Sequence, residues 1–221
     1  MGSISADTFR RVYLLYLLAR FQKGAYGLKR VHKVAYIPER ESNAVRPFEF
    51  RKYLFGQYSE TLDDIKDQLI SMGYVLAVPL DTAITMKIDD DEYSLGGNRF
   101  VVRDRTRMNR YRHVLGALSP DIPKLIDQAV KEYGYLIEQE LVNACYRFPE
   151  FKATAPERLI FEANIPEHID IELPDDECAD LELSFNPVFI DAMVRLNEAL
   201  ETQPIEWEAV QEAKNLSASN A

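Results

Sequence analysis

The apolar pattern of this chain changes period near Gly73, and that change limits the folds open to it. Before it, apolar residues recur at helical spacing. Asp7 can cap a helix over 8–22 whose stripe is Leu14, Leu15, Leu18 and Phe21, with Arg10, Arg11 and Arg20 elsewhere on its surface. Residues 23–27 read as a turn, and a second helix over 28–37 should stop at Pro38. Residues 39–47 read as a loop, 48–55 as an aromatic and basic run, and Gly56-Gln57-Tyr58 as a turn. Ser59 is an N-cap, with Glu60, Asp63 and Asp64 favourable in the first turn of a third helix through Met72 whose inner face is Leu62, Ile65, Leu69 and Ile70.

Beyond Gly73 come short β-branched or apolar runs at 74–78, 83–88 and 100–102. Asp89-Asp90-Asp91-Glu92 and Gly96-Gly97-Asn98 punctuate them as hairpin turns do. Helix, helix, acidic-capped helix, then hairpin is the order of a winged helix-turn-helix. Two more helices follow, over 120–133 and 138–146. The expectation is an α+β, mainly α fold: a winged-helix-like helical domain with a β-hairpin wing over 1–151, and an acidic α/β extension over 152–221. In the extension, 169–173 and 181–185 read as strands around an acidic loop, Asp175-Asp176-Glu177. Asn186 and Pro187 then start a helix with Phe189, Ala192, Met193, Leu196 and Leu200 on one face, and a last short helix from Pro204 carries Trp207 and Val210.

Charge divides the chain at nearly the same place. Residues 1–149 carry 22 basic and 19 acidic side chains, whereas 150–221 carry 4 and 17, for a formal net charge of −10 overall. Two units with different partners are the reading this supports. Between Arg10 and Lys33 there are seven Lys or Arg and no acid, a basic two-helix face. A second basic stretch, Arg99, Arg103, Arg105, Arg107, Arg110 and Arg112, contains one acid, Asp104.

Several classes of function find no support. The longest apolar run, 12–19, is far short of the roughly 20 residues a membrane helix needs, and the first residues lack a basic-then-apolar leader, so a cytoplasmic protein with no membrane partner is expected. Cys145 and Cys178 are too few for a disulfide framework and read as buried thiols. His32, His113 and His168 make no metal-ligand spacing with them or with each other, and His32 reads as a solvated residue among Lys29, Arg30 and Lys33. Asp89-Asp90-Asp91-Glu92 has hard oxygen ligands for a divalent cation, but a solvated loop tip is the plainer reading. Neither a nucleophile elbow nor a phosphate-cradling loop is present. The expectation is a non-enzyme without cofactor or metal.

Three segments carry a family resemblance: Lys29-Arg30-Val31-His32-Lys33-Val34-Ala35-Tyr36; the run from Phe48 through Gly56-Gln57-Tyr58-Ser59-Glu60 to Met72-Gly73-Tyr74-Val75; and Tyr133-Gly134-Tyr135 leading to Tyr146-Arg147-Phe148-Pro149-Glu150-Phe151. Their order resembles the YwgA-like bacterial proteins and, more distantly, the Panacea or SocA-type antitoxin domain, over roughly 8–151. The resemblance implies a prokaryotic, α-rich domain that binds other proteins, in antitoxin members by neutralising a toxin.

A DNA reader of the usual winged-helix kind would place the third helix in the major groove. Here that helix carries Glu60, Asp63, Asp64 and Asp67 against Lys66, which phosphates would repel. A nonstandard nucleic-acid mode would use Arg10, Arg11, Lys29, Arg30, Lys33 and Arg112. The favoured reading is a protein-interaction module, antitoxin-like or a regulatory subunit of a larger complex, whose partner is a toxin or complex subunit. Its anchors would be Arg103, Arg105, Arg107 and Arg110, which can pair carboxylates bidentately, with Phe50, Tyr53 and Phe55 as aromatic contacts. The acidic segment 167–182 could instead fold back on these arginines, and self-association through the apolar positions of the extension is a further expectation.

Overall fold

The computed structural model describes residues 2–42, 45–53, 56–80, 84–88, 91–95 and 97–186. It begins with strand β1 (Gly2–Ser5), which leads directly into α1 (Ala6–Arg20). The cap is Ser5, not Asp7: Ser5 Oγ accepts the Thr8 N–H at 3.2 Å, and Asp7 pairs with Arg10 one turn on. Nor is α1 a one-sided helix. Phe9 and all eight residues of 12–19 are buried, the condition of a helix enclosed on every side.

After β2 (Ala25–Tyr26), α2 (Leu28–Glu41) runs past Pro38 to Glu41. A proline this close to the end forfeits one intrahelical donor, and the Ser42 N–H still closes onto the Pro38 carbonyl at 2.8 Å. Strands β3 (Phe50–Tyr53) and β4 (Gly56–Tyr58) pair antiparallel, Arg51 opposite Tyr58 and Tyr53 opposite Gly56. The residues expected as a turn, 56–58, are thus a strand. Ser59 caps α3 (Glu60–Ser71), its Oγ accepting the Leu62 N–H, and Gly73 at φ 75° ends it in the left-handed conformation that glycine tolerates best.

Four strands follow: β5 (Val75–Pro79), β6 (Ile84–Ile88), β7 (Asp91–Leu95) and β8 (Asn98–Val102). β8 pairs antiparallel with β5 from Val75–Val102 to Pro79–Asn98, and on its other side with β2. β6 and β7 pair with each other. Where three runs separated by turns were expected there are a three-stranded sheet and a hairpin, and Asp91 and Glu92, read as part of a turn, belong to β7. The expected hairpin-tip residues Asp89, Asp90 and Gly96 lie outside the described residues.

The chain continues through α4 (Met108–Leu118), α5 (Ile122–Tyr133), α6 (Glu138–Tyr146), α7 (Pro149–Ala153), β9 (Leu159–Phe161), β10 (His168–Ile171) and α8 (Asp175–Ser184). The class is α+β, with helices dominant. α3, α4 and α5 pack around α1. β9 adds to β3 to make a three-stranded sheet, and β10 pairs antiparallel with β1, Gly2 opposite Ile171 and Ser5 opposite His168. The boundary expected at 151/152 therefore falls inside the first compact unit, which extends to Phe185.

Residues 175–185 also depart from the expected loop and strand. Asp175, Asp176 and Glu177 fill the first turn of α8, where carboxylates face unsatisfied N–H groups, while Cys178, Leu181 and Phe185 are buried at helical spacing. Glu182 of α8 accepts from the Ser5 N–H at 2.5 Å and from Thr8 Oγ1 at 2.7 Å, tying the acidic segment to the start of α1. The two helices expected beyond Asn186, with Phe189, Met193 and Trp207, lie outside the described residues. Among the described residues, no helix is long and apolar enough to cross a membrane.

Candidate functional site

The segments from α2, from β3–β4 and from α6–α7 meet in space, although Arg40 and Glu150, which pair across them, are 110 residues apart in sequence. Tyr36 of α2 stacks on Phe161 with ring centroids 5.1 Å apart and meets Phe50 edge-on at 5.3 Å. Its hydroxyl donates to Glu150 Oε1 at 2.7 Å, which also accepts from Arg40 Nε at 2.6 Å. Gln57 of β4 donates from Nε2 to the Cys145 carbonyl of α6 at 3.2 Å. This weld holds open a cleft of about 360 Å³ between the N-terminal half of α2 and the β3–β4 hairpin, lined by Leu28, Lys29, His32, Lys33, Tyr53, Gly56, Gln57, Tyr58 and Glu60.

Polar side chains lie at its floor. Lys33 is 1% exposed. Its ammonium lies in the notch left by Gly56: at φ 113° that residue has no Cβ, and one built there would fall 2.9 Å from Lys33 Nζ and 3.4 Å from Tyr146 Cε1. Burial holds the Lys33 ammonium below its ordinary pKa, and burial pushes the Cys145 thiol up to about 12. His32, beside Lys33, is buried rather than solvated. Its Nδ1 accepts the Ser59 N–H at 3.2 Å and its ring lies 4.6 Å from that of Tyr58. Burial brings its pKa down to about 4, Asp63 opposing and Lys66 and Lys33 assisting, so the ring is neutral at pH 7. With Nδ1 accepting, the proton sits on Nε2. That Nε2 and Gln57 Oε1 are both buried without a hydrogen-bond partner.

A second apolar cleft, about 390 Å³, is lined by Lys52, Tyr53, Tyr146, Phe151, Pro156 and Glu157. Tyr53, 44% exposed, is common to both clefts. Near the first cleft, Arg30 Nη1 binds the carbonyls of Gly134 and Leu136 at 2.8 and 2.7 Å, and Lys29 reaches Glu138 at 3.4 Å. These contacts set the turn bearing Tyr135 and Ile137, 56% and 65% exposed, against the first turns of α2.

The anchors expected from sequence are scattered. Phe50 is 0% exposed and belongs to the core, because its strand turns it onto Tyr36 and Phe161. Tyr53 is at the surface, and Phe55 lies outside the described residues. Arg105 is engaged inward, donating to the Phe21 carbonyl at 2.9 Å, and Arg110 is held by the Glu177 carbonyl and by Asp180 at 3.0 Å. The acidic segment thus does fold back, onto Arg110 and, through Ser184 Oγ at 3.4 Å, onto Arg107. Arg103 is exposed. Arg110→Ala should cost less than about 1 kcal/mol, since its acidic partners are half-exposed or more, and urea denaturation would read this as a small shift in midpoint. A loss of several kcal/mol would mean that Arg110 holds α8 in place by itself.

The basic two-helix face is also largely spent within the fold. Arg10 donates to the Pro47 carbonyl and to Asp7, and Arg11 to Gln68 Oε1 at 2.8 Å. Arg30 and Lys29 are engaged as described, Lys33 is buried, and Arg112 is exposed. Sequence reasoning passed over His32, Gln57 and Cys145 as parts of one site. Helical spacing on α2 gave no signal: Val31, Val34 and Ala35 mark one face, and His32 and Lys33 project away from it and are buried because further elements, β4 and α6 among them, cover α2. Among the described residues, no group of three or more His, Cys, Asp or Glu is placed to hold a metal ion. In comparisons with known proteins, the chain matches no family model, no curated protein and no solved structure.

Proposed function

We propose that this chain is a non-catalytic protein-interaction module, antitoxin-like or the regulatory subunit of a larger prokaryotic complex, acting in the cytoplasm, and that its partner face is the pair of clefts sharing Tyr53. The carrying observation is the meeting of two apolar clefts at one exposed tyrosine, with Tyr135 and Ile137 exposed nearby. Large exposed apolar side chains beside preformed concavities are what protein interfaces use as anchors. The succession α2, α3 and the antiparallel β5–β8 pair supports a winged-helix-like reading of the body. A phosphate-binding role has less support, because Arg10, Arg11 and Arg30 are committed to internal acceptors and α3 exposes Glu60, Asp64 and Asp67.

The test is affinity capture from a nuclease-treated native lysate with the wild-type chain, Tyr53→Ala and Ile137→Ala as baits. A stoichiometric protein partner held by the wild type and weakened at least tenfold by Tyr53→Ala supports the reading. Loss of every partner on nuclease treatment, or indifference to both substitutions, overturns it.

A further inference from the structure

The sheet β2–β8–β5 has one face in the core and the other at the surface. Ala25, Val75, Phe100 and Val102 are buried, and strand alternation turns Tyr26, Leu76, Arg99 and Val101 the other way. Arg99 sits on the central strand, opposite Tyr26 on one side and Val78 on the other, with its guanidinium 5.9 Å from the centroid of the Tyr26 ring. Tyr26 and Leu76 are exposed. Arg99 is half-buried, forms no ion pair among the described residues, and has its Nε buried without a hydrogen-bond partner. A guanidinium is a planar fork of donors matched to a carboxylate, and on this face it stands between apolar side chains with none to bind.

The complement lies on α8 of the same chain. Cys178, Leu181 and Phe185 are its buried side, so Asp176, Ala179, Asp180 and Leu183 form an exposed stripe at helical spacing. Asp180 is held by Arg110, whereas Asp176 pairs with no cation among the described residues. Asp176 and Leu183 are two turns apart, about 10 Å along a helix. Arg99 and Leu76 are diagonal neighbours on the sheet, about 8 Å apart at ordinary strand spacing, and the Arg99 stem spans the difference. The two patches also adjoin: Tyr74, which leads into β5, donates its hydroxyl to the Ser184 carbonyl at 2.7 Å and sets its ring 5.2 Å from that of Phe185. We propose that the chain forms a two-fold dimer in which the α8 stripe of each copy lies on the exposed sheet face of the other. Asp176 pairs with Arg99 across the axis, and Leu183 packs on Leu76 and Val101. Because the patches are neighbours, one two-fold axis makes the contact twice. The net charge of −10 opposes association of two copies, so a contact between them has to join local charges of opposite sign, as this one does. Tyr26 and Arg99 are also the residue types that anchor interfaces.

This contact uses none of the residues that line the clefts at Tyr53, so it stands or falls apart from them. Sedimentation velocity on the full chain, from low to high micromolar concentration, should show a monomer–dimer equilibrium. Arg99→Glu and Asp176→Arg should each weaken the dimer at least tenfold, because each sets like charges together at both contacts. Mixed in equal amounts, the two variants should restore it, since every contact in the mixed dimer again joins a carboxylate to a guanidinium. That recovery also shows both variants to be folded. Leu183→Ser should weaken the dimer and gain nothing from mixing, and Tyr53→Ala should leave it unchanged. A chain that stays monomeric throughout the range, variants that dimerise as the wild type does, or a mixture no tighter than its components overturns the proposal. Dissociation by Tyr53→Ala would overturn it as well, by moving self-association to the clefts.

Discussion

Between pH 6.5 and about 4 the protein is expected to lose roughly 3 kcal/mol of stability through one side chain, His32. In the unfolded chain its imidazole titrates near 6.5; in the fold, burial first and the Lys66 and Lys33 cations after it bring it down to about 4 against the pull of Asp63. Below 6.5 the unfolded state therefore takes up a proton that the folded state refuses. The stabilisation is complete above 6.5, falls progressively with pH, and is gone at about 4, at about 1.4 kcal/mol per pH unit. About 2 kcal/mol of it should be missing at pH 5, or roughly 4–8 °C in Tm for a chain of this size. The structural route is specific: protonating Nδ1 sets a donor against the Ser59 N–H, the residue that caps α3, so α2 and α3 lose their polar junction.

Other groups titrate too, and Glu39 has the opposite sign. Burial raises its carboxyl well above the usual range, against the Phe48 N–H it accepts and the Arg46 and Arg10 cations nearby, so its contribution is present at low pH and declines as pH rises. A difference measurement isolates His32. His32→Asn retains an acceptor for Ser59 and cannot titrate. It should lower stability at pH 7 yet flatten the profile, so that wild type and variant converge between pH 7 and 5. Parallel Tm-against-pH curves for the two would show that His32 is not the group responsible.

Elements set by local rules were legible in the sequence, and those set by distant contacts were not. Ser59 with its following acids marked the start of α3, Gly73 its end, and 138–146 the extent of α6, because caps and glycines act within a few residues. α1 gave an apolar pattern that fits either a one-sided or an enclosed helix, and only α3, α4 and α5 around it decide between them. The β1–β10 and β3–β9 pairings join residues more than 100 apart, for which the sequence carries no local mark, so the acidic region looked like an appendage. The same limit hid the cleft. Gly56-Gln57-Tyr58 has turn composition, and its strand pairing and its approach to Lys33 come from α2 and α6 across the fold. Tyr53 was legible as an aromatic contact, but its neighbour in pattern, Phe50, points the other way from the same strand, as alternate strand residues do.

Phe50 and Tyr53 therefore make the sharpest paired test of the architecture. Phe50→Ala is expected to cost about 3–5 kcal/mol: the side chain is fully buried, its ring meets Tyr36 at 5.3 Å and Phe161 at 5.6 Å, and its loss leaves a cavity where α2, β3 and β9 join. Tyr53→Ala, three residues on but 44% exposed, should stay within about 0.5–1 kcal/mol of wild type in urea denaturation. Because Phe161 comes from beyond residue 151, the Phe50 cavity should also loosen β9, and amide exchange at Leu159 and Phe161 should quicken with it. Partner binding should invert the order of severity, since Tyr53 lies on both clefts and Phe50 on neither. A Phe50→Ala protein with wild-type stability and lost binding would return the aromatic run to a single surface role. A large stability loss from Tyr53→Ala would instead make the two clefts part of the core's support, with the tyrosine holding the hairpin rather than meeting a partner.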